Sequence, residues 1–468
     1  MNFASLHFWY CLFLALACSG VVLLVIRLIK PSLLPVAGKI CFLLTSLFLL
    51  ASESLLTMVV FLWVVLCGWF CVMLSVGTAS GWVKRVVCVV GLICQITPLL
   101  FFKYWGFVAN EVLQLGVAVP IALIPMGLSF YTFQTMSFCL DSFKDQKSVP
   151  KFIDYLTFAS FFPQIVAGPI ERRSTFLPQA RDLKFRIKKS RVESAVSWIV
   201  LGMFYKIALA DNIALIMGAA SVDVNNAYQI ILEIICFTFR IYFDFAGYSF
   251  IALGLASLFG VDLTLNFLSP YWSTSLRAFW RRWHISLSFW LRDYVYFPLG
   301  GNRTRFWMLA LLATFVVSGV WHGAGWNFIL WGALHGLGLL ACSMKFPWRV
   351  PKVLCWGITT AFVMFAWLFF YETDFEKLSL KVSTLIDYQS YTFGIRETMF
   401  GFFHKAADIA NFAGIMAIVF AVMLLEGLSL KRPEPYNYLR TSPAVLACAF
   451  LTVILAPVSQ SPFIYFNF

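Results

Sequence analysis

The chain has 468 residues, of which 61% are hydrophobic and only 12% charged. A soluble globular chain carries roughly 25% charged residues, so this composition excludes an ordinary soluble domain and points to a polytopic membrane protein. The formal net charge of +13 is no nucleic-acid signal, because eight of the 35 basic residues crowd into one stretch, 172–191.

An apolar run of about 20 residues crosses a hydrocarbon core about 30 Å thick. Candidate spans lie near 5–26, 36–51, 55–77, 84–102, 117–140, 193–215, 227–243, 246–260, 306–321, 326–343, 353–371, 412–427 and 443–460. Some are short or carry Gly and Pro, so the expectation is an all-α membrane domain with about eleven crossings plus re-entrant pieces. Within residues 1–468, segment 1–116 reads as peripheral helices, 117–343 as the catalytic core and 344–468 as C-terminal helices. The first apolar run lacks a basic lead and a small-residue cleavage site, which argues against a cleaved signal peptide. Arg27, Lys30 and Lys39 mark the first loop as cytoplasmic and put the N-terminus outside.

Twelve cysteines show no CxxC pairing, so neither a disulfide framework nor a zinc site is indicated. Phe161 to Arg173 holds two prolines and a glycine within an apolar run, as a re-entrant loop would. The basic stretch that follows, ending in Lys184 to Arg191, reads as a loop at the anionic inner leaflet or as a surface that attracts an anionic donor. Arg240 and Asp244 stand four apart in an apolar helix, a spacing that allows an ion pair.

Two of the five histidines lie in ordered surroundings of membrane-grade hydropathy: His284 in Phe279-Trp-Arg-Arg-Trp-His-Ile-Ser-Leu-Ser288, and His322 in Ser318-Gly-Val-Trp-His-Gly-Ala-Gly-Trp326. Ionisable groups at such depth are costly and usually line a cavity. If 277–292 is one helix, an advance of about 100° per residue puts Arg277, Arg281, His284, Ser288 and Arg292 on one stripe. Trp280, Trp283, Leu287, Trp290 and Leu291 fall on the neighbouring face. Such a helix is too polar to cross and suits the interface or a re-entrant position. Its arginines hold phosphate, either of lipid or of a donor. Pro298-Leu-Gly-Gly-Asn-Arg303 reads as a tight turn presenting Asn302.

His322 falls at the end of the span 306–321, among Cβ-less neighbours that let a substrate approach the backbone. With an ordinary pKa of about 6.5, it is the candidate general base. His335 lies 13 residues further on, about 220° round a continuous helix, and reads as structural. His7 and His404 read as surface or interfacial residues. Loop 372–411 holds six acidic and four basic residues between basic flanks (Lys345, Arg349 and Lys352 before it) and is placed outside. No Gly-x-Ser-x-Gly elbow, P-loop, HExxH or dinucleotide fingerprint occurs, so a serine hydrolase, an ATPase and a zinc protease are poorly supported.

The strings Met126-Gly-Leu-Ser-Phe-Tyr-Thr-Phe133, Phe161 to Arg172, Asp244-Phe-Ala-Gly-Tyr-Ser249, Phe279 to Arg303 and Val320 to Gly336 together resemble the membrane-bound O-acyltransferase family. The likeness is to its bacterial alginate O-acetylase and peptidoglycan O-acetyltransferase branch. The resemblance implies a ring of membrane helices around a central tunnel, with His322 matching the family's catalytic histidine and His284 its second active-site position. It implies a thioester donor such as acetyl-CoA and no bound cofactor or metal. The acetyl group would leave for an extracytoplasmic acceptor protein or polysaccharide O-acetyltransferase, at a bacterial inner membrane. Donor or substrate contacts are expected from Arg277, Arg281, Arg292, Trp321, Trp283, Ser288 and Asn302. A cousin branch that moves D-alanine to teichoic acid generally lacks the stretch found here at 296–303 and ranks second. The sequence departs from close relatives in following Gly-Gly-Asn-Arg directly with Thr304-Arg-Phe-Trp307. A transporter without bond chemistry is the rival class, although no repeated halves are visible.

Overall fold

A computed structural model describes residues 3–77, 81–117, 124–145, 151–181, 189–344, 350–403, 405–458 and 461–464. His404, Lys184 to Lys188 of the basic stretch, Lys345, Arg349 and part of the expected span 117–140 lie outside the described residues. Helices dominate, with no strand among the described residues. The chain forms two compact units, Met1–Ile199 with Tyr248–Leu265, and Val200–Gly247 with Asn266–Phe468.

In the first unit, the helices Leu6–Ile29, Leu34–Ala51, Leu55–Gly77 and Gly81–Leu99 follow from unbroken apolar runs. Leu6–Ile29 buries few residues and leaves Leu6, Phe13, Leu24 and Leu28 exposed, a surface that only hydrocarbon matches. The prolines and glycine of 161–170 do end regular structure, and that irregular stretch is buried along its whole length. Phe42 stacks on Phe161 with ring centres 5.2 Å apart. Non-helical backbone is thus enclosed by protein, as an apolar setting requires.

Seven helical segments are long and apolar enough to cross a membrane, among the described residues. Trp307–His322, Trp326–Ala341 and Ser442–Ile454 are apolar but shorter. At 1.5 Å per residue, the first two are only about 24 Å long against a core of about 30 Å, so the full-length segments among the described residues number seven beside the about eleven crossings expected. The expected spans 227–243 and 246–260 form one helix, Ala227–Leu258, of 32 residues. Its two glycines, Gly247 and Gly254, do not break it: a Cβ on Gly247 would come within 2.7 Å of the Gly202 carbonyl oxygen, so that residue allows close packing.

The ion pair expected between Arg240 and Asp244 is replaced. Asp244 is held by Lys206 at 2.7 Å, and Lys206 also meets Asp211 at 2.7 Å. Lys206 sits in a π-helical turn, Phe204–Ala210, where all seven residues are buried. Its ammonium donates to the Ser461 carbonyl at 3.0 Å, and the Ile464 N–H donates to Asp244 at 2.6 Å. A long lysine reaches two carboxylates at once, and this compensates the desolvation of all three charges better than a single pair would.

Candidate active site

The second unit carries the site. The helix expected over 277–292 is two short helices, Leu276–Trp280 and Ile285–Leu291. Ser275 caps the first by accepting from the Ala278 N–H at 3.1 Å. At the junction His284 takes a left-handed conformation, φ 42° and ψ 55°. The break is supported from outside by the segment 266–268. The Leu268 N–H donates to the Arg282 carbonyl and the Ile285 N–H to the Asn266 carbonyl, both at 3.0 Å. The Asn266 side chain then accepts from the Ser286 N–H at 3.1 Å.

His284 therefore leaves the stripe it was expected to share. Arg277, Arg281, Ser288 and Arg292 do converge, on a cavity of about 450 Å³ whose apolar wall includes Trp280 and Phe315. The Arg292 guanidinium is held by Asp293 at 2.7 Å, and Arg277, Arg281 and Arg292 all stand exposed on the rim. The cavity lining includes neither His284 nor His322.

His284 is fully buried, edge-on to Phe245 at 4.7 Å and beside Trp321 at 5.9 Å between ring centres. His322 is the last residue of Trp307–His322, where extended Gly323 and Gly325 turn the chain into Trp326–Ala341. It is packed against Trp321 at 4.8 Å, Trp331 at 5.0 Å and Phe370 at 5.1 Å. The two histidines, 38 positions apart in sequence (322 − 284), thus flank a single indole.

Two expected contact residues are placed elsewhere. Trp283 is buried core, stacked on Phe279 at 5.5 Å and leaning on Trp367 at 5.0 Å. Asn302 is exposed on the turn Gly301–Arg303, where Gly300 at φ 101° lets the chain fold back without bringing it to the cavity. His7 is exposed, as expected. His335 is fully buried, and the helical-wheel separation from His322 does not apply because the helix stops at His322. Both rings touch Trp331, at 5.0 Å and 4.8 Å.

A buried carboxylate was missed. Glu426 accepts from the Tyr205 hydroxyl at 2.6 Å and the Tyr242 hydroxyl at 2.7 Å. The Tyr242 hydroxyl lies 3.2 Å from that of Tyr436, and Tyr242 packs on Trp283. The signal was present: an acidic residue inside an apolar run demands partners. Those partners lie 221 and 184 positions away in sequence, which no local pattern reveals.

A chain this apolar, with seven helical segments long enough to cross a membrane among the described residues, is a multi-pass membrane protein. Residues 45–372 match MBOAT, the membrane-bound O-acyltransferase family, and the chain belongs to it. It is an acyltransferase, which removes the transporter reading. The chain is 29% identical to the peptidoglycan O-acetyltransferase of Helicobacter pylori, over 93% of this chain and 92% of that protein. It is 34% identical to the probable alginate O-acetylase AlgI of Pseudomonas aeruginosa, over 60% of this chain and 56% of that one. It is 29% identical to the teichoic acid D-alanyltransferase of Bacillus subtilis, over 61% of this chain and 78% of that one.

Proposed function

We propose that the chain takes an acetyl group from a cytoplasmic thioester, acetyl-CoA, and passes it across the bacterial inner membrane for O-acetylation of an extracytoplasmic polysaccharide. The observation that carries this reading is the pair His284 and His322 on either side of Trp321, in the same unit as the arginine-rimmed cavity. Arg277, Arg281 and Arg292 hold the donor phosphates, since guanidinium forks match phosphate oxygens. His322, buried and packed by rings, takes the proton from the acceptor hydroxyl. The freed oxygen attacks the thioester carbonyl carbon. His284 donates to the oxyanion that forms. Collapse of the tetrahedral adduct breaks the C–S bond, and the thiolate leaves with the proton that His322 held.

The acceptor is an extracytoplasmic protein or a polysaccharide O-acetyltransferase, and loop 372–411 and the N-terminus face it from outside. The overlap with the peptidoglycan O-acetyltransferase supports an acetyl group, because it runs along 93% of this chain. The likeness to a D-alanyltransferase keeps a second reading, D-alanyl transfer to a cell-wall polymer, and donor competition separates them. In lipid nanodiscs, thiol release from acetyl-CoA but not from a D-alanyl carrier protein is the expected outcome. Replacing His322→Ala should cut that release and cellular polysaccharide acetylation by about 10²–10⁴-fold, the usual worth of a general base. Normal acetylation at normal protein levels would sink the assignment.

A further inference from the structure

His335 has no role in the reaction just described, yet its surroundings are unlike those of a packing residue. It is fully buried, and its Nδ1 accepts the indole N–H of Trp280 at 3.3 Å. An indole nitrogen can only donate, so in the neutral ring the proton must sit on Nε2. That Nε2 has no hydrogen-bond partner among the described residues. A phenylalanine or leucine would fill the same space without burying an unsatisfied nitrogen, so packing alone does not account for an imidazole here.

What the ring touches accounts for it. Trp280 is one of two indoles, with Trp307, that wall the arginine-rimmed cavity. On its other side His335 meets Trp331 at 4.8 Å, the ring that packs edge-on against His322 at 5.0 Å. Phe279 stacks along His335 at 6.4 Å and Phe362 closes its edge at 5.6 Å, so the imidazole has little room to turn. A displaced His335 moves two indoles together, one at the donor cavity and one at the base.

We propose that His335 is a positioning residue for acyl transfer: by accepting the Trp280 N–H it fixes the cavity wall, and by packing on Trp331 it fixes His322 relative to that wall. The proposal rests on the reading of the cavity as the donor site and of His322 as the base. Neither His335 nor Trp280 is asked to exchange a proton with substrate.

The test compares His335→Asn, whose Oδ1 stands near the position of Nδ1, with His335→Leu and with Trp280→Phe, in nanodiscs with acetyl-CoA as donor. Losing the acceptor or the donor should raise the donor KM and lower kcat, together about tenfold in kcat/KM, the worth of one buried hydrogen bond. His335→Asn should stay within about threefold of wild type, and the Leu/Phe double variant should be no worse than the poorer single one. Wild-type kinetics in His335→Leu, or equal loss in the Asn and Leu variants, would overturn the proposal. If His335→Leu fails to accumulate, Trp280→Phe decides alone, because it keeps a ring in the wall and removes only the N–H donor; unchanged kinetics would then overturn it. The 15N indole resonance of Trp280 needs no turnover. It should shift in His335→Leu and hold in His335→Asn, and an unmoved resonance counts against the hydrogen bond even where the acetyl-CoA reading itself has failed.

Discussion

The conformation of His284 separates folding from chemistry at a single residue. A left-handed backbone costs an L-residue roughly 1–2 kcal/mol, and histidine tolerates it better than most. His284 pays this at φ 42° because the Asn266 carbonyl and side chain hold the next two N–H groups. Glycine relieves such strain and removes the imidazole. His284→Gly recovers that strain but leaves a cavity costing about 2–5 kcal/mol, so the melting temperature should fall while kcat drops by about 10²–10³-fold, the usual effect of losing one oxyanion donor. Thermal unfolding and acetyl-CoA turnover on the same preparation measure both. A variant that keeps its turnover would leave the oxyanion without this donor.

At the scale of elements, the antiparallel pair Trp307–His322 and Trp326–Ala341 carries His322, the proposed base. A Cβ on Gly319 would lie 2.1 Å from the Phe328 carbonyl oxygen, and one on Gly332 would lie 2.3 Å from that of Phe315. Backbone meets backbone here, so nothing flexible can give way. Gly332→Ala should push the helices apart, cost about 1–3 kcal/mol as overpacking does, and shift the adjacent Trp331 off His322. The expected readout is a lower melting temperature with kcat falling more than donor affinity, because the arginines are untouched. Equal stability would mean the pair is looser than its geometry states. Hydropathy made both helices legible, and the Gly-Ala-Gly run announced the break after His322. The break at His284 was not legible: 277–292 reads as a good amphipathic helix, and what interrupts it is hydrogen bonding from 266–268, a segment with no strong local signal. The helical wheel still grouped Arg277, Arg281, Ser288 and Arg292 correctly, since two short helices deliver them to one cavity. It failed for the one residue at the junction. Trp283 and Asn302, expected among the contacts, lie outside the cavity lining: Trp283 is packed into the core and Asn302 is exposed on the turn Gly301–Arg303.

For the whole molecule the proposed function raises the question of how a hydrophilic donor would meet a base that sits in an oily interior. With the cavity as the proposed donor site and His322 as the proposed base, the two tasks are separate. Cations stand on the exposed rim of the cavity, where Arg277 and Arg281 keep their water, and the imidazoles stand behind aromatic rings. Charge recognition placed at the rim costs little desolvation, whereas the imidazoles are shielded from bulk water. This division predicts that the arginines contribute binding that is the same in the ground state and the transition state. Arg277→Gln with Arg281→Gln should raise the acetyl-CoA KM by about 10–100-fold, the worth of one charged hydrogen bond, with kcat nearly unchanged. Acetyl-pantetheine has the same thioester and no phosphate, so its turnover should be poor in the wild type and no poorer in the double variant. If both donors lose equally, the cavity does not hold phosphates and the cations serve the surrounding lipid. If kcat falls with acetyl-CoA alone, phosphate binding is being used to align the thioester with His322, and the rim and the buried pair act as one device.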